Sequence, residues 1–149
     1  VILAKLAGAL TFYLLIWPPT LSYALVLRRF SPATAPLDLG PMLGGYLGAW
    51  LIGSFYLAVG VFCSTLTRNQ IVAAITCFAL ITLACVAGFL PFFVHDPRLM
   101  NGSLYFSSVM HMLDFSRGAV DTRPMVLYVS GTALLLFAAV KGLESRRWK

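Results

Sequence analysis

Side chains capable of chemistry are few in this sequence, and their spacing argues against most of the chemistry they could do. There are two histidines, His95 and His111, with Asp96 and Asp114 close to them in sequence. A metal site needs several convergent ligands, and no spacing here matches a known one. His111, Asp114, Arg117 and Asp121 recur at separations of three, four and seven, the pattern of contacts along one surface of a helix. Cys63, Cys77 and Cys85 lie inside apolar segments without a CxxC pair, which reads as buried, reduced and structural. The sequence contains no GxxxxGK[ST] phosphate loop and no dinucleotide fingerprint. No catalytic residue, metal site or cofactor is therefore assigned to this chain, and any energy for work has to come from a partner.

The elements that carry these residues are strongly apolar. Of 149 residues, 60% are hydrophobic and 11% charged, whereas a soluble domain has roughly 45–50% and about 25%. A soluble fold of this size buries only about 70% of its surface, so much of the apolar surplus would face water. Hydrocarbon is the solvent that suits the chain. The formal net charge of +6 comes from cations at the ends of apolar runs. That placement fits headgroups and anionic lipid, and nucleic acid is not an expected partner.

Four apolar segments are predicted to cross a bilayer as helices, at about 2–27, 41–66, 71–94 and 125–143, giving an all-α transmembrane bundle in a single domain. The first would reach roughly 39 Å at about 1.5 Å per residue, with Trp17-Pro18-Pro19 kinking it. Ser31 to Pro36 then form a loop. The second carries Gly40, Gly44 and Gly48 at successive fourth positions, with Gly45, Gly53 and Gly60 beside them. Such a strip lets another backbone approach closely, and packing within the chain is preferred to a dimer seam or a pore lining. Thr67 to Gln70 form a tight turn before the third segment.

Residues 95–124 make up the long polar stretch. Within it, about 104–120 reads as an amphipathic helix that lies at the membrane surface or dips into the bundle without crossing. Phe106, Val109, Met110, Leu113 and Val120 share one side, and Ser107, His111, Asp114 and Asp121 the other. Pro124 is expected to close this element and to sit near the start of the last span. No span carries an Asp, Glu, His or Arg near its centre, so proton relays and intramembrane proteolysis have no material to work with.

With four spans, both ends of the chain share a side. Lys5, Arg68, Lys141, Arg146, Arg147 and Lys149 fall there, and Arg28, Arg29, Arg98, Arg117 and Arg123 on the other, a weak charge asymmetry. The compact basic tail with Trp148 favours ends that face the cytoplasm. Val1 enters an apolar helix at once, which reads as an internal cut in a longer protein.

Three stretches, taken in order, carry a resemblance. They are Leu37 to Gly48 (LDLGPMLGGYLG), Cys63 to Gln70 (CSTLTRNQ) and His111 to Arg123 (HMLDFSRGAVDTR), followed by Leu143 to Trp148 (LESRRW). Together they resemble permease subunits of ABC transporters. The exporter-type family in question includes the gliding-motility permease and its relatives for multidrug export and copper-enzyme maturation. Such permeases have six spans, which makes the present chain look like spans three to six.

The resemblance implies a multi-pass cell-membrane protein, bacterial or archaeal, that pairs with a second permease subunit and with a separate ATP-binding subunit. ATP hydrolysis then occurs on the partner, and this chain is not itself an enzyme. By the same resemblance, Arg68, Asn69 and Gln70 lie in the cytoplasmic loop near the ATPase. The helix bearing His111, Asp114, Arg117 and Asp121 is the outward-facing re-entrant one before the last span. It is expected to cap the exit path, held by its own ion pairs, with Ser107 open to reagents from outside. The other class considered is a non-transporting membrane scaffold that recruits partners through the glycine strip.

Overall fold

The computed structural model describes residues 2–30, 38–89, 93, 102 and 104–147, and the side chains among them up to Glu144. His95, Asp96 and Arg98 lie outside the described residues, as do 31–37, where a loop was expected. Six helices account for nearly all of the rest, without a strand among the described residues.

α1 (Ile2–Ile16) and α2 (Pro18–Phe30) make up the first span. The expected kink is a full break at Trp17. Pro18 and Pro19 have no N–H to donate back into α1, but both are tolerated in the first turn of a new helix. The Trp17 carbonyl takes up the slack, accepting from Thr20 N at 2.9 Å and Thr20 Oγ1 at 2.6 Å. α2 runs on through Arg28 and Arg29, cations suited to the carbonyl end of a helix.

α3 (Leu39–Leu66) begins at Asp38, whose carboxylate accepts from Gly40 N at 3.0 Å, so the helix starts two residues before the predicted Pro41. α4 (Gln70–Phe89) is capped by Asn69, whose side-chain oxygen accepts from Ile71 N at 3.0 Å.

The predicted helix over 104–120 is shorter and interrupted. Residues 104–106 are helical, Ser107 breaks the run and caps α5 (Ser108–Ser116) by accepting from Met110 N, and Gly118 ends it at φ 79°. Only glycine adopts that left-handed turn without a Cβ penalty, and Gly118 N closes it onto the Phe115 carbonyl at 3.0 Å. α6 (Thr122–Arg147) follows, with Asp121 accepting from Arg123 N at 3.2 Å. Pro124 therefore sits in the first turn of α6 and does not close the preceding element, because a proline there forfeits no intrahelical bond.

α3 stands at the centre, packed against α1, α4, α5 and α6. It runs antiparallel to α1, with Tyr13 Oη donating to the Ala49 carbonyl at 2.8 Å and Thr20 meeting Tyr46 Oη at 2.9 Å. At one end Ile2, Lys5, Thr65, Thr67 and Leu143 surround a single cavity. The start of α1, the end of α3 and the last turns of α6 thus meet on one side, as four crossings require.

The outer surface is apolar. Phe78 and Phe137, for example, are 73% and 66% exposed, a state that suits lipid and not water. Four stretches, Ile2–Phe30, Leu39–Leu66, Gln70–Phe89 and Thr122–Glu144, are long and apolar enough to cross a membrane.

Candidate functional site

α5 is the element on which the polar side chains converge, and its docking is set by glycines. Gly44 and Gly48 on α3 present bare backbone to Phe115, which is almost completely buried. A Cβ at Gly48 would come within 2.8 Å of the Phe115 ring, and one at Gly44 would overlap the Phe115 carbonyl oxygen. The glycines grouped as one strip therefore meet different neighbours. Gly53 receives the Tyr13 ring from α1, while Gly40 lies exposed at the start of α3 and serves the Asp38 cap.

The side of the helix against the bundle joins polar and apolar groups: Ser107 is fully buried and donates to the Gly88 carbonyl at 3.2 Å, His111 is 8% exposed beside the buried Phe115, and Asp114 stays exposed. Phe106, Leu113 and Val120 point outward. The expectation that Ser107 is open to reagents fails for this reason. In lipid the apolar side is the solvated one, and hydroxyl and imidazole groups find partners only inside. His111 Nδ1 meets Tyr128 Oη of α6 at 2.9 Å with the rings edge to face, and Tyr56 Oη of α3 donates to Ser108 Oγ at 2.8 Å. Burial pushes His111 below its ordinary value near 6.5, opposed by the nearby carboxylates of Asp114 and Asp121.

The anticipated ion pairs along this helix do not form. Among the described residues the ion pair is Lys141 with Glu144, at 3.0 Å on α6. Arg117 is the C-cap of α5, past the last regular turn, so it no longer stacks over Asp114. The turn at Gly118 redirects the chain and commits Asp121 to capping α6. Asp114 and Asp121 instead border an open cavity of about 370 Å³ together with His111 and Arg123.

Between α1, α3, α4 and α5 lies a larger cavity of about 790 Å³, walled by Tyr13, Trp17, Tyr56, Cys85, Ser108 and Met112 among others. No carboxylate, ammonium or guanidinium group lines it among the described residues, so it suits an uncharged, largely apolar occupant. Trp17 sits edge-on between Tyr13 and Tyr46, and its buried indole N–H makes no hydrogen bond to any described residue. The cysteines are free, Cys63 buried and Cys77 and Cys85 half-buried.

At the opposite end, Arg68, Asn69 and Gln70 separate by role, Gln70 being the first residue of α4. Asn69 is occupied as the α4 cap, and its carbonyl also accepts from Thr67 Oγ1 and Ala73 N. Arg68 and Gln70 are exposed. Nothing local in the sequence assigns a role to Phe115 or Tyr128, and Gly88, expected only to loosen the far end of the third segment, receives Ser107. A signal for the first was present, because two bare glycines four apart require a large side chain to fill them.

The fold and this buried polar seam define an all-α helical bundle with four helices able to cross a membrane. Neither the protein-family models, nor the curated proteins, nor the solved structures contain a match to this chain.

Proposed function

We propose that this chain is a membrane-spanning permease subunit of an ATP-driven ABC exporter, residing in the cell membrane with both described ends on the cytoplasmic side. The observation that carries the reading is the ordered resemblance over Leu37–Gly48, Cys63–Gln70 and His111–Arg123. Two features support it: four helices long enough to span, and a short helix tucked against the bundle just before the last of them. The uncharged cavity between α1, α3, α4 and α5 would contribute to the translocation path. A second permease subunit completes the path, and closure of two ATP-binding subunits on the cytoplasmic side rocks the bundles to open it outward.

In this reading Arg68 and Gln70 face the ATP-binding subunit, while Asn69 holds the turn in shape. For the scaffold alternative, Gly44, Gly48 and Gly53 are filled from within the chain and Gly45 is left open. Affinity purification of the full-length protein from membranes tests the proposal. A soluble ATP-binding subunit should co-purify, and Arg68→Ala with Gln70→Ala should weaken that association while leaving helicity intact. Recovery of the protein with no ATPase, under conditions that preserve other membrane complexes, would rule the reading out.

A further inference from the structure

The cavity at the end where α1 begins has a chemistry unlike the other cavities. It measures about 530 Å³, and Lys5 is its charged wall residue, the remainder being side chains such as Ala9, Leu57, Val61, Ser64 and Leu143. Lys5 forms no ion pair or hydrogen bond to any described residue. The described carboxylate at this end, Glu144, is taken by Lys141. Asp38, Asp114 and Asp121 belong to the far end, where α3 and α6 begin. Lys5 is exposed at the mouth of the cavity, and an ammonium group there without a counter-charge attracts an anion placed beside it. The hydroxyl protons of Thr65 and Thr67 are already committed to the carbonyls of Phe62 and Asn69, which leaves Ser64 as a free donor.

We propose that this cavity is a binding site for an anionic phospholipid of the surrounding bilayer, its phosphate on Lys5 and Ser64 and one acyl chain lying along Ala9, Leu57 and Val61. The site stands apart from the transport reading, because it needs only the bilayer and this chain. Several features select the occupant. The cation calls for a negative headgroup, the apolar walls call for a chain, and the position at a helix end puts both at headgroup depth. Arg68 at the same end adds to the attraction for negative lipid, whereas the charge of Lys141 is offset by Glu144.

The test is native mass spectrometry of the full-length protein, delipidated in detergent and titrated separately with phosphatidylglycerol, phosphatidylcholine and oleate. Phosphatidylglycerol should bind in preference to phosphatidylcholine. Lys5→Gln should weaken it about fivefold, the effect of one cation at an anionic membrane surface, while Lys5→Arg retains binding and Lys141→Gln leaves it unchanged. Helicity and elution volume of each variant establish that the bundle is intact, and the Lys5→Arg result holds even if Lys5→Gln disturbs folding. Equal binding of the two phospholipids, or Lys5→Gln and Lys141→Gln behaving alike, overturns the site. Lys5-dependent binding of oleate without phosphatidylglycerol overturns the phospholipid assignment in favour of a free fatty acid.

Discussion

α3 and α4 are adjacent apolar spans joined by a three-residue turn, yet they occupy opposite positions in the bundle. α4 is mostly Ile, Val, Leu, Ala and Phe, and it exposes Ile71, Ile75, Phe78, Leu83 and Val86. α3 is interrupted by glycines, and it buries Gly44, Gly48, Ala49, Ala58 and Cys63 against neighbouring helices. In water the greasier helix would take the centre. In lipid, transfer from solvent to interior gains little, so the interior goes to the helix whose small residues let others approach. Smallness, and not hydrophobicity, orders the inside of this fold.

The largest test of that contrast compares two neighbouring glycines. Gly44→Ala places a methyl group against the Phe115 backbone, which cannot swing aside, and should destabilise the bundle by on the order of 3 kcal/mol. Gly45→Ala meets nothing within 4 Å and should be neutral or stabilising by about 0.5–1 kcal/mol through helix propensity. Equilibrium unfolding in mixed micelles, followed by helical circular dichroism, measures both. Equal effects would mean that α5 does not dock where described.

A phenylalanine pair sharpens the same point from the other side of the contact. Phe115→Ala empties the space between Gly44 and Gly48 and should cost about 2 kcal/mol, below the usual range for a soluble core because the truncated site loses packing but little transfer energy. Phe78→Ala on α4 exchanges contacts with lipid alone and should stay within about 0.5 kcal/mol. A smaller effect is expected for Ser107→Ala, about 1 kcal/mol, since it removes both the α5 cap and the bond to Gly88. The readout is the same micelle titration, and a cost no larger than that of Phe78→Ala would remove Ser107 from the docking of α5.

The helices were legible in the sequence because length, apolar composition and punctuation by Pro18, Asp38, Asn69 and Gly118 are local properties. The all-α class and four spans follow from them. The orientation of α5 was not legible. Ser107 and His111 of the polar side are buried beside Phe115 while Asp114 and Asp121 of the same side are exposed, and a helical wheel does not say which residues of a helix meet the bundle. Ion pairs were expected from spacing alone, and spacing presumes an unbroken helix; Gly118 breaks it between Arg117 and Asp121. Gly40 was grouped with Gly44 and Gly48 on periodicity, whereas its place in the first turn at Asp38 gives it a capping role. The His111–Tyr128 pair joins residues 17 apart on two different helices, and no local pattern marks it.

That pair provides the smallest of the expected effects, and one that distinguishes the docked face of α5 from the lipid-facing helix α4, which carries no Asp, Glu, His, Lys or Arg. His111 faces Tyr128 from α6, Asp114 from its own helix, and Asp121 and Arg123 from the start of α6. Its burial lowers the folded-state pKa below 6.5, with the two aspartates partly offsetting the shift. The unfolded chain therefore takes up the proton first as pH falls. Stability attributable to docking is complete above about pH 7, declines as pH drops through 6.5, and levels off below the depressed folded value. His111→Gln keeps a hydrogen-bonding group beside Tyr128 but does not titrate, so its stability should be flatter between pH 8 and pH 5. Asp114→Asn removes an opposing charge and should steepen the wild-type decline. If His111→Gln and wild type lose stability in parallel over this range, the imidazole is protonated equally in the folded and unfolded states, and its burial between α5 and α6 is not as described.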